Sequence, residues 1–288
     1  MSLNNFIPSV WAGVLLQNLH KNQTYVQALC NRNYEGEIRQ FGDTVKINAI
    51  GAVTISDYTK NTDLSSPETL TDAQTTLSID QAKSFNFQID DVDKAQQNPQ
   101  VMGEAMREAA YGLADATDQF IAAKYADVDS GNLIGTTGSP KTVGTGGSDS
   151  NAYALLVDAG VALDEANNPR GDRRVVVPSW FHGLLLKDDR FVSFATSDSA
   201  QTRDEGLVGR AAGFAIYVSN NVPNTTGAKY RILAGSNNAM TYAEQINEVE
   251  PYRPEKRFAD AVKGLHLYGA KLVRPKSLVC VTASKGTL

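Results

Sequence analysis

The amino-acid sequence predicts an α+β fold, and three observations support this prediction. Residues 98–128 show the 3.6-residue periodicity of one long amphipathic helix. Two segments before it, 41–50 and 75–89, alternate between apolar and polar residues as strands do. The tail over 240–283 is also mostly strand-like, and it follows a second helix that is predicted over 152–167.

The long helix begins with clear local signals. Asn98 is suited to cap the first turn, and Pro99 stands at the first helical position, where its missing N–H costs nothing. A helix over the whole stretch would be about 45 Å long. Its apolar stripe contains many small residues, which favours packing against a sheet over a coiled-coil seam. The stripe consists of Met102, Ala105, Met106, Ala109, Leu113, Ala116, Phe120 and Ala123. We therefore expect a structural helix and no chemistry along it.

The strand segments before the helix predict a long two-stranded ribbon with a polar tip over residues 56–71. An isolated two-stranded ribbon is only marginally stable in water. We therefore expect the ribbon to lie across another subunit. The predicted contact residues at the tip are Tyr58, Lys60, Asp63 and Glu68.

The first 32 residues predict an amphipathic arm that packs on its own core or on a neighbour. Trp11 is a predicted contact residue of this arm with another subunit, and Tyr25, Val26 and Leu29 share the apolar face of a short helix.

The second half of the chain follows a connector rich in Gly, Ser and Thr, over residues 130–151, which predicts a flexible loop and an internal boundary. A short helix is predicted over 180–187, and residues 206–213 predict a loop. Strands are predicted over 174–178, 214–218 and 230–234.

Charge and composition exclude several classes of protein. The 32 acidic and 27 basic residues give a net charge of −5, which does not support a basic nucleic-acid-binding surface. No apolar run reaches the roughly 18 residues of a membrane span, and the N-terminal sequence lacks the features of a signal peptide. Cys30 and Cys280 have neither metal nor redox spacing, so we expect reduced, buried thiols.

No motif predicts a catalytic residue, a cofactor or a metal. The glycine-rich connector lacks the patterns that bind phosphate or dinucleotides. Ser179, His182 and Asp188 have the residue types of a hydrolase triad, but their spacing is too local and the nucleophile-elbow pattern is missing. His20 and His266 show no ligand spacing with His182.

Two acidic clusters admit either a cation site or a solvated turn. Asp90, Asp91 and Asp93 precede the long helix, and an acidic turn there favours the start of the helix. Asp127 and Asp129 weakly match a calcium loop, but a glycine stands where the bidentate Glu belongs. We expect solvated turns at both places.

A charged series near the C-terminal end alternates in sign. Arg253, Lys256 and Arg257 are interleaved with acidic residues that include Glu255 and Asp260. Mixed signs suit salt bridges between subunits better than a nucleic-acid groove, so the three basic residues are predicted intersubunit contacts.

The order of the predicted parts is specific: an arm, a β extension, a long helix, a compact α/β half and a returning β tail. Short strings mark the same order: FGDTV at 41–45, FNFQIDD at 85–91, NP at 168–169, VVVP at 175–178, GLVG at 206–209, YVSN at 217–220 and YGAKLVRP at 268–275. In these features the chain resembles the major capsid (coat) proteins of tailed bacteriophages over nearly its whole length, and it looks closest to those of short-tailed phages.

This resemblance implies the tailed-phage (Hong Kong-type) major capsid fold. The implied parts are an N-terminal arm (1–38), a long β-hairpin extended loop (39–96), a peripheral domain with the spine helix (97–131), an axial domain (132–240) and return strands of the peripheral domain (241–288). The arm and the loop would reach neighbouring subunits.

The resemblance also implies a structural function: self-assembly, through pentamers and hexamers, into an icosahedral shell that encloses double-stranded DNA without sequence-specific binding. The implied partners are a scaffolding protein and a portal at one vertex, and the implied location is the virion after procapsid assembly and maturation in the host cytoplasm. Neither enzymatic activity nor a cofactor, metal or membrane partner is expected. Two alternatives stay open: an encapsulin-like compartment that holds protein cargo and, more remotely, a hydrolase with a site near His182.

Overall fold

The computed structural model describes residues 24–34, 44–50, 72–90, 101–147, 149–188, 207–256 and 258–287, together with the single positions Ile55, Asp57, Lys60 and Asp63. The helices of this part of the chain are α1 (Thr24–Leu29), α2 (Val101–Ala122), α3 (Ala152–Glu165) and α4 (Ser179–Leu186). Short 3-10 helices cover Ala123–Asp127, Ser130–Asn132 and Pro275–Ser277.

The strands form three sheets. In chain order they are β1 (Cys30–Asn31), β2 (Thr44–Ile50), β3 (Asp72–Ser78), β4 (Gln81–Asp90), β5 (Leu133–Ile134), β6 (Lys141–Val143), β7 (Arg173–Val177), β8 (Leu207–Ala211), β9 (Phe214–Val218), β10 (Asn224–Thr225), β11 (Lys229–Ser236), β12 (Met240–Tyr252), β13 (Ala259–Leu272) and β14 (Leu278–Lys285). The mixture of helices and sheets confirms the predicted α+β fold.

The largest sheet has eight strands in the order β5-β14-β11-β7-β9-β8, with β6 added to β14 and β10 added to β11. Val175, Val176 and Val177 of β7 are fully buried, which confirms the predicted buried strand. The chain leaves β7, forms α4 and returns as β9, which pairs parallel to β7. Asn151 starts α3 by accepting hydrogen bonds from two backbone N–H groups, those of Tyr153 and Ala154. The predicted second helix is therefore confirmed.

The prediction that residues 206–213 form a loop was wrong for the described part of this stretch. Residues 207–211 form β8, which pairs antiparallel with β9. The glycines that suggested a loop have other uses. The register shifts between Leu207 and Gly209, and the two-residue hairpin turn places Ala212 at φ 50° and Gly213 at φ 84°.

The connector over residues 130–151 is also more ordered than predicted. Its segments β5 and β6 both pair in parallel with β14, the C-terminal strand. The carboxylate of Asp149 accepts hydrogen bonds from the backbone N–H groups of Gly146 and Thr287. Composition suggested a flexible loop because it carries no information on these long-range backbone hydrogen bonds.

The second sheet has four strands in the order β1-β12-β13-β4. The N-terminal part of α2 packs on one face of this sheet through Met106, Ala110, Leu113 and Ala114. The facing residues of the sheet are Val249, Val262, Phe85 and Phe87. Met106 and Leu113 of the predicted stripe thus pack against a sheet, as expected. The small residues beside them are Ala110 and Ala114, whereas Ala123 of the predicted stripe is exposed.

The predicted ribbon over residues 39–96 is only partly present in the described residues. β2 pairs with β3, but β4 pairs with β13 and belongs to the four-stranded sheet. Ile79 and Asp80 separate β3 from β4, whereas the sequence predicted one continuous strand segment over 75–89. Val45, Leu77 and Ile79 pack against the four-stranded sheet, so the base of the ribbon is part of the core.

The C-terminal tail divides between the two larger sheets. β12 and β13 form a long hairpin in the four-stranded sheet, whereas β14 lies beside β11 in the eight-stranded sheet. The expected return of 241–288 to one peripheral sheet was therefore wrong for β14. This strand pairs with β11 over seven residue pairs, and its residues Leu278 to Ala283 are buried.

The long helix and the arm agree with prediction where they are described. α2 ends at Ala122 and continues as a 3-10 turn to Asp127, so the regular α-helix is shorter than predicted, while Asn98 and Pro99 lie outside the described residues. In the arm, Tyr25, Val26 and Leu29 are buried in the main core. This part of the arm therefore packs on its own subunit.

Candidate assembly surfaces and the buried junction

The predicted contact residues of the ribbon tip are exposed where they are described. Lys60 and Asp63 are exposed, whereas Tyr58, Glu68 and Trp11 of the arm lie outside the described residues. Ile55, at the start of the same tip, is 95% exposed. An apolar side chain that its own subunit leaves exposed to water suits a surface that becomes buried on association.

The turn between β12 and β13 forms a second exposed surface. Arg253 donates from Nε to Oδ1 of Asp260 at 2.9 Å, and Lys256 is exposed, while Arg257 lies outside the described residues. Arg253 thus has a partner in its own subunit, and its predicted intersubunit contact stays a prediction. Phe258, which the sequence analysis missed, is 85% exposed beside these charges. The signal that could have identified Phe258 from the sequence is the presence of an aromatic residue within a charged turn.

Asp118 joins the arm to the long helix inside the core. Its side chain is only 2% exposed, and it accepts hydrogen bonds from the backbone N–H groups of Thr24 (2.9 Å) and Tyr25 (3.2 Å). These donors belong to the first turn of α1, which would otherwise lack acceptors. Burial raises the pKa of Asp118 to about 7, although the N–H groups of α1 oppose this shift.

Asp118 is not part of the apolar stripe predicted for the long helix, yet it is buried. Ala114 and Ala122 lie four residues before and after it, and both are buried. The i, i+4 spacing therefore places Asp118 on the buried side of the helix. This spacing was the signal that could have identified it.

Glu244 makes a second contact with the arm, on the four-stranded sheet. Oε1 lies 2.9 Å from Nη1 of Arg32, and Oε2 accepts a hydrogen bond from the hydroxyl of Tyr242 at 2.6 Å. Nε2 of the fully buried His266 lies 3.3 Å from the same Oε2. Burial alone would raise the pKa of Glu244, but His266, Arg32 and Tyr242 together lower it to about 2.

These contacts define a buried junction, consisting of α1 and β1 with Arg32, Asp118, Glu244 and His266. Two more contacts hold it. Arg174 of β7 donates to the carbonyl of Gln27 at 2.6 Å, and β1 pairs in parallel with β12. The junction therefore connects the long helix with both larger sheets.

The residues considered for a hydrolase are not arranged as a triad. The hydroxyl of Ser179 donates to Asn220 at 2.7 Å, and the carboxylate of Asp188 accepts from Asn151 at 2.9 Å. Burial lowers the pKa of His182. A cavity of about 510 Å³ lies beside Asp188. The two carboxylates that line it, those of Asp149 and Asp188, already accept hydrogen bonds from the protein.

The described residues contain no group of three or more His, Cys, Asp or Glu side chains that could hold a metal ion. Cys30 and Cys280 are both buried free thiols, which confirms their predicted state. None of the described helices is long and apolar enough to cross a membrane.

No curated protein sequence matches the chain. Among solved structures, one described as Mycobacterium phage Che8 is 31% identical, with a TM-score of 0.69, and the match covers 97% of this chain and 98% of that one. The capsid of cyanophage P-SCSP1u is 19% identical with a TM-score of 0.66, covering 90% and 87% of the two chains.

A virus-like particle from Pyrococcus furiosus has the same fold, at 14% identity and a TM-score of 0.55 over 93% and 96% of the two chains. The sequence model of the family described as phage capsid protein matches residues 72–281. These findings confirm the capsid resemblance and the capsid fold expected from the sequence. The chain belongs to the phage capsid protein family.

Proposed function

We propose that the protein is the subunit of an icosahedral shell that encloses double-stranded phage DNA. The observation that carries this proposal is the 31% identity to a phage protein of known structure over nearly the full length of both chains. The exposed Ile55 and Phe258 support it, because a large apolar side chain that is exposed in the single subunit would lose its contact with water on association.

Within this proposal, the domains of the subunit are those that the resemblance implies, with the corrections made above for β4 and β14. Residues 1–38 would be the arm and 39–96 the extended loop, with β4 of that range in the peripheral sheet. Residues 97–131 and 241–288 would form the peripheral domain, except that β14 completes the axial domain over 132–240. The arm and the loop would contact neighbours, while the buried junction would keep each subunit rigid.

The enclosed DNA would be held without sequence-specific contacts, since the net charge of −5 gives the wall no general affinity for phosphate. A scaffolding protein would guide assembly, and a portal would occupy one vertex. Assembly would take place in the host cytoplasm, and the finished protein would reside in the virion. The subunit would perform no catalysis.

The test is the particle mass of the purified protein, measured by light scattering and supported by negative-stain electron microscopy. Uniform shells of megadalton mass are expected, either alone or after addition of the scaffolding protein. In particles purified from infected cells, double-stranded DNA protected from nuclease is expected.

The second candidate is an encapsulin-like compartment, which the similarity to the virus-like particle supports at the level of the fold. Shells that contain a defined protein cargo and no DNA would favour it over the phage capsid.

A further inference from the structure

The long hairpin of β12 and β13 holds its turn on a base that is bonded across the two strands. Lys263 and Glu250 are directly paired in the hairpin, and Nζ of Lys263 lies 2.8 Å from Oε2 of Glu250. Nearer the turn, Nε of Arg253 donates to Oδ1 of Asp260 at 2.9 Å. These two ion pairs use the charges at the base of the hairpin within the subunit itself.

Beyond this base lies the hairpin tip, which we define as residues 254–256 together with Phe258. The ring of Phe258 is 85% exposed. Glu255 and Lys256 are exposed as well, and neither forms an ion pair with any other residue that the structure describes. Pro254 restricts the backbone of the tip, so less conformational entropy is lost when the tip is bound. An aromatic anchor with charged neighbours on a restricted backbone is typical of the energetic centre of a protein interface.

The charges of the tip limit the kind of partner that fits it. Glu255 and Lys256 are adjacent and opposite in sign, so a nucleic acid or any other partner of one sign would be attracted by one and repelled by the other. The whole end of the hairpin, residues 250–263, is nearly neutral. Its three acidic and four basic residues are Glu250, Glu255 and Asp260, and Arg253, Lys256, Arg257 and Lys263. The fitting partner presents both signs next to an apolar side chain.

The same tip in a second copy of the chain has these properties. In a reciprocal contact, each residue of one copy that touches a residue of the other is matched by the same contact in reverse. Lys256 of one copy would then face Glu255 of the partner subunit, and Glu255 of the first copy would face Lys256 of the partner subunit. The two Phe258 rings would cover each other and lose their contact with water.

We propose that the hairpin tips of two copies bind each other, with Phe258 as the apolar centre and Glu255 and Lys256 as reciprocal ion pairs. This inference rests on the proposed shell, because assembly is what brings copies of the tip together. It names the partner of this exposed surface as the identical surface of another subunit.

The test uses the full chain under the conditions in which the wild type assembles, alone or with the scaffolding protein. Glu255→Lys leaves two basic residues side by side at the tip, and Lys256→Glu leaves two acidic ones. Asp158→Lys reverses a charge at an exposed position of α3 and is the matched control. Sedimentation and electron microscopy measure the fraction of subunits in shells. The melting temperature of the isolated subunit shows whether each variant is folded.

Each tip variant alone should form shells at roughly a tenth of the wild-type yield or less, because like charges would face each other across the contact. An equimolar mixture of Glu255→Lys and Lys256→Glu should assemble far better than either protein alone, because a basic tip then faces an acidic one. The control Asp158→Lys should assemble as the wild type does. Wild-type yields from the two tip variants, an equal loss in Asp158→Lys, or a mixture no better than its components would overturn the proposal.

The proposed shell and the tip contact fail in different ways. A wild type that forms no shells even with the scaffolding protein contradicts the shell, whereas the tip contact still predicts association of the isolated subunit at high concentration. Analytical ultracentrifugation should then show this association in the wild type, its loss in each tip variant and its return in their mixture. A wild type that stays strictly monomeric at high concentration would overturn the tip contact as well.

Discussion

Oδ2 of Asp118, in the middle of α2, lies 2.9 Å from the backbone nitrogen of Thr24, the first residue of α1. The two residues are 94 positions apart in the chain. A carboxylate on one helix thus serves as the N-terminal cap of another, and this contact fastens the arm to the longest helix of the subunit. The junction around it is the main structural feature that no motif in the sequence indicated.

The first prediction concerns this cap. Asp118→Ala should lower the free energy of unfolding by about 1–3 kcal/mol, because the N–H groups of α1 would stay buried without acceptors. Chemical denaturation at neutral pH measures the change. Asp158→Ala, at an exposed position of α3, is the matched control and should change stability by less than about 0.5 kcal/mol. Equal effects of the two variants would contradict the capping role.

The second prediction concerns the pH dependence of stability. The pKa of Asp118 is raised to about 7 in the folded protein, above the ordinary value of 3.8, so the folded state binds the proton more tightly. Its contribution is therefore fully present below about pH 4 and is lost as the pH rises towards 7. Between pH 5 and pH 8 the wild type should lose roughly 2 kcal/mol relative to Asp118→Asn, which does not titrate.

The pH range of that measurement matters because the contribution of Glu244 to the free energy of unfolding changes with pH in the opposite direction. Its pKa is lowered to about 2, so its contribution is present above about pH 4.5 and is lost as the pH falls below that value. Denaturation curves for wild type and Asp118→Asn should therefore be recorded only above pH 5. A constant difference between the two proteins from pH 5 to pH 8 would show that Asp118 does not titrate there.

The third prediction uses two glycines with opposite surroundings. Gly112 lies on the exposed side of α2 with nothing within 4 Å of an added Cβ, so Gly112→Ala should stabilise the protein by about 0.5–1 kcal/mol. An added Cβ at Gly269 of β13 would lie 2.2 Å from the carbonyl oxygen of Ser78, so Gly269→Ala should destabilise it by about 1–3 kcal/mol. Melting temperatures of both variants test the packing of the ribbon base on the sheet. Melting temperatures shifted in the same direction would contradict it.

The fourth prediction concerns the ribbon tip. Deletion of residues 58–68 should leave the melting temperature of the isolated subunit nearly unchanged, because Lys60 and Asp63 are exposed there. The deletion should yield soluble subunits or aberrant particles, which sedimentation and electron microscopy would detect. Normal shells from the deletion variant would refute the predicted contact.

Much of the fold was predictable because its elements follow local rules. The periodicity of α2 and α3 and the apolar run of Val175 to Val177 each identify an element without knowledge of the rest of the chain. The order of these elements, together with short strings of residues, was enough to indicate the family.

The parts that could not be predicted depend on contacts between distant segments. β14 pairs with β11 and β4 with β13, although neighbouring segments in the sequence suggested other partners. Asp118 and Glu244 are acidic residues in regular elements, and only the tertiary fold buries them against the arm.

The most direct test of the capsid assignment is the mass and shape of the particles that the purified chain forms. Light scattering with electron microscopy should give closed shells of uniform diameter and megadalton mass, alone or with the scaffolding protein. A protein that remains a monomer or dimer even with the scaffolding protein, and that is absent from particles isolated from infected cells, would contradict the assignment.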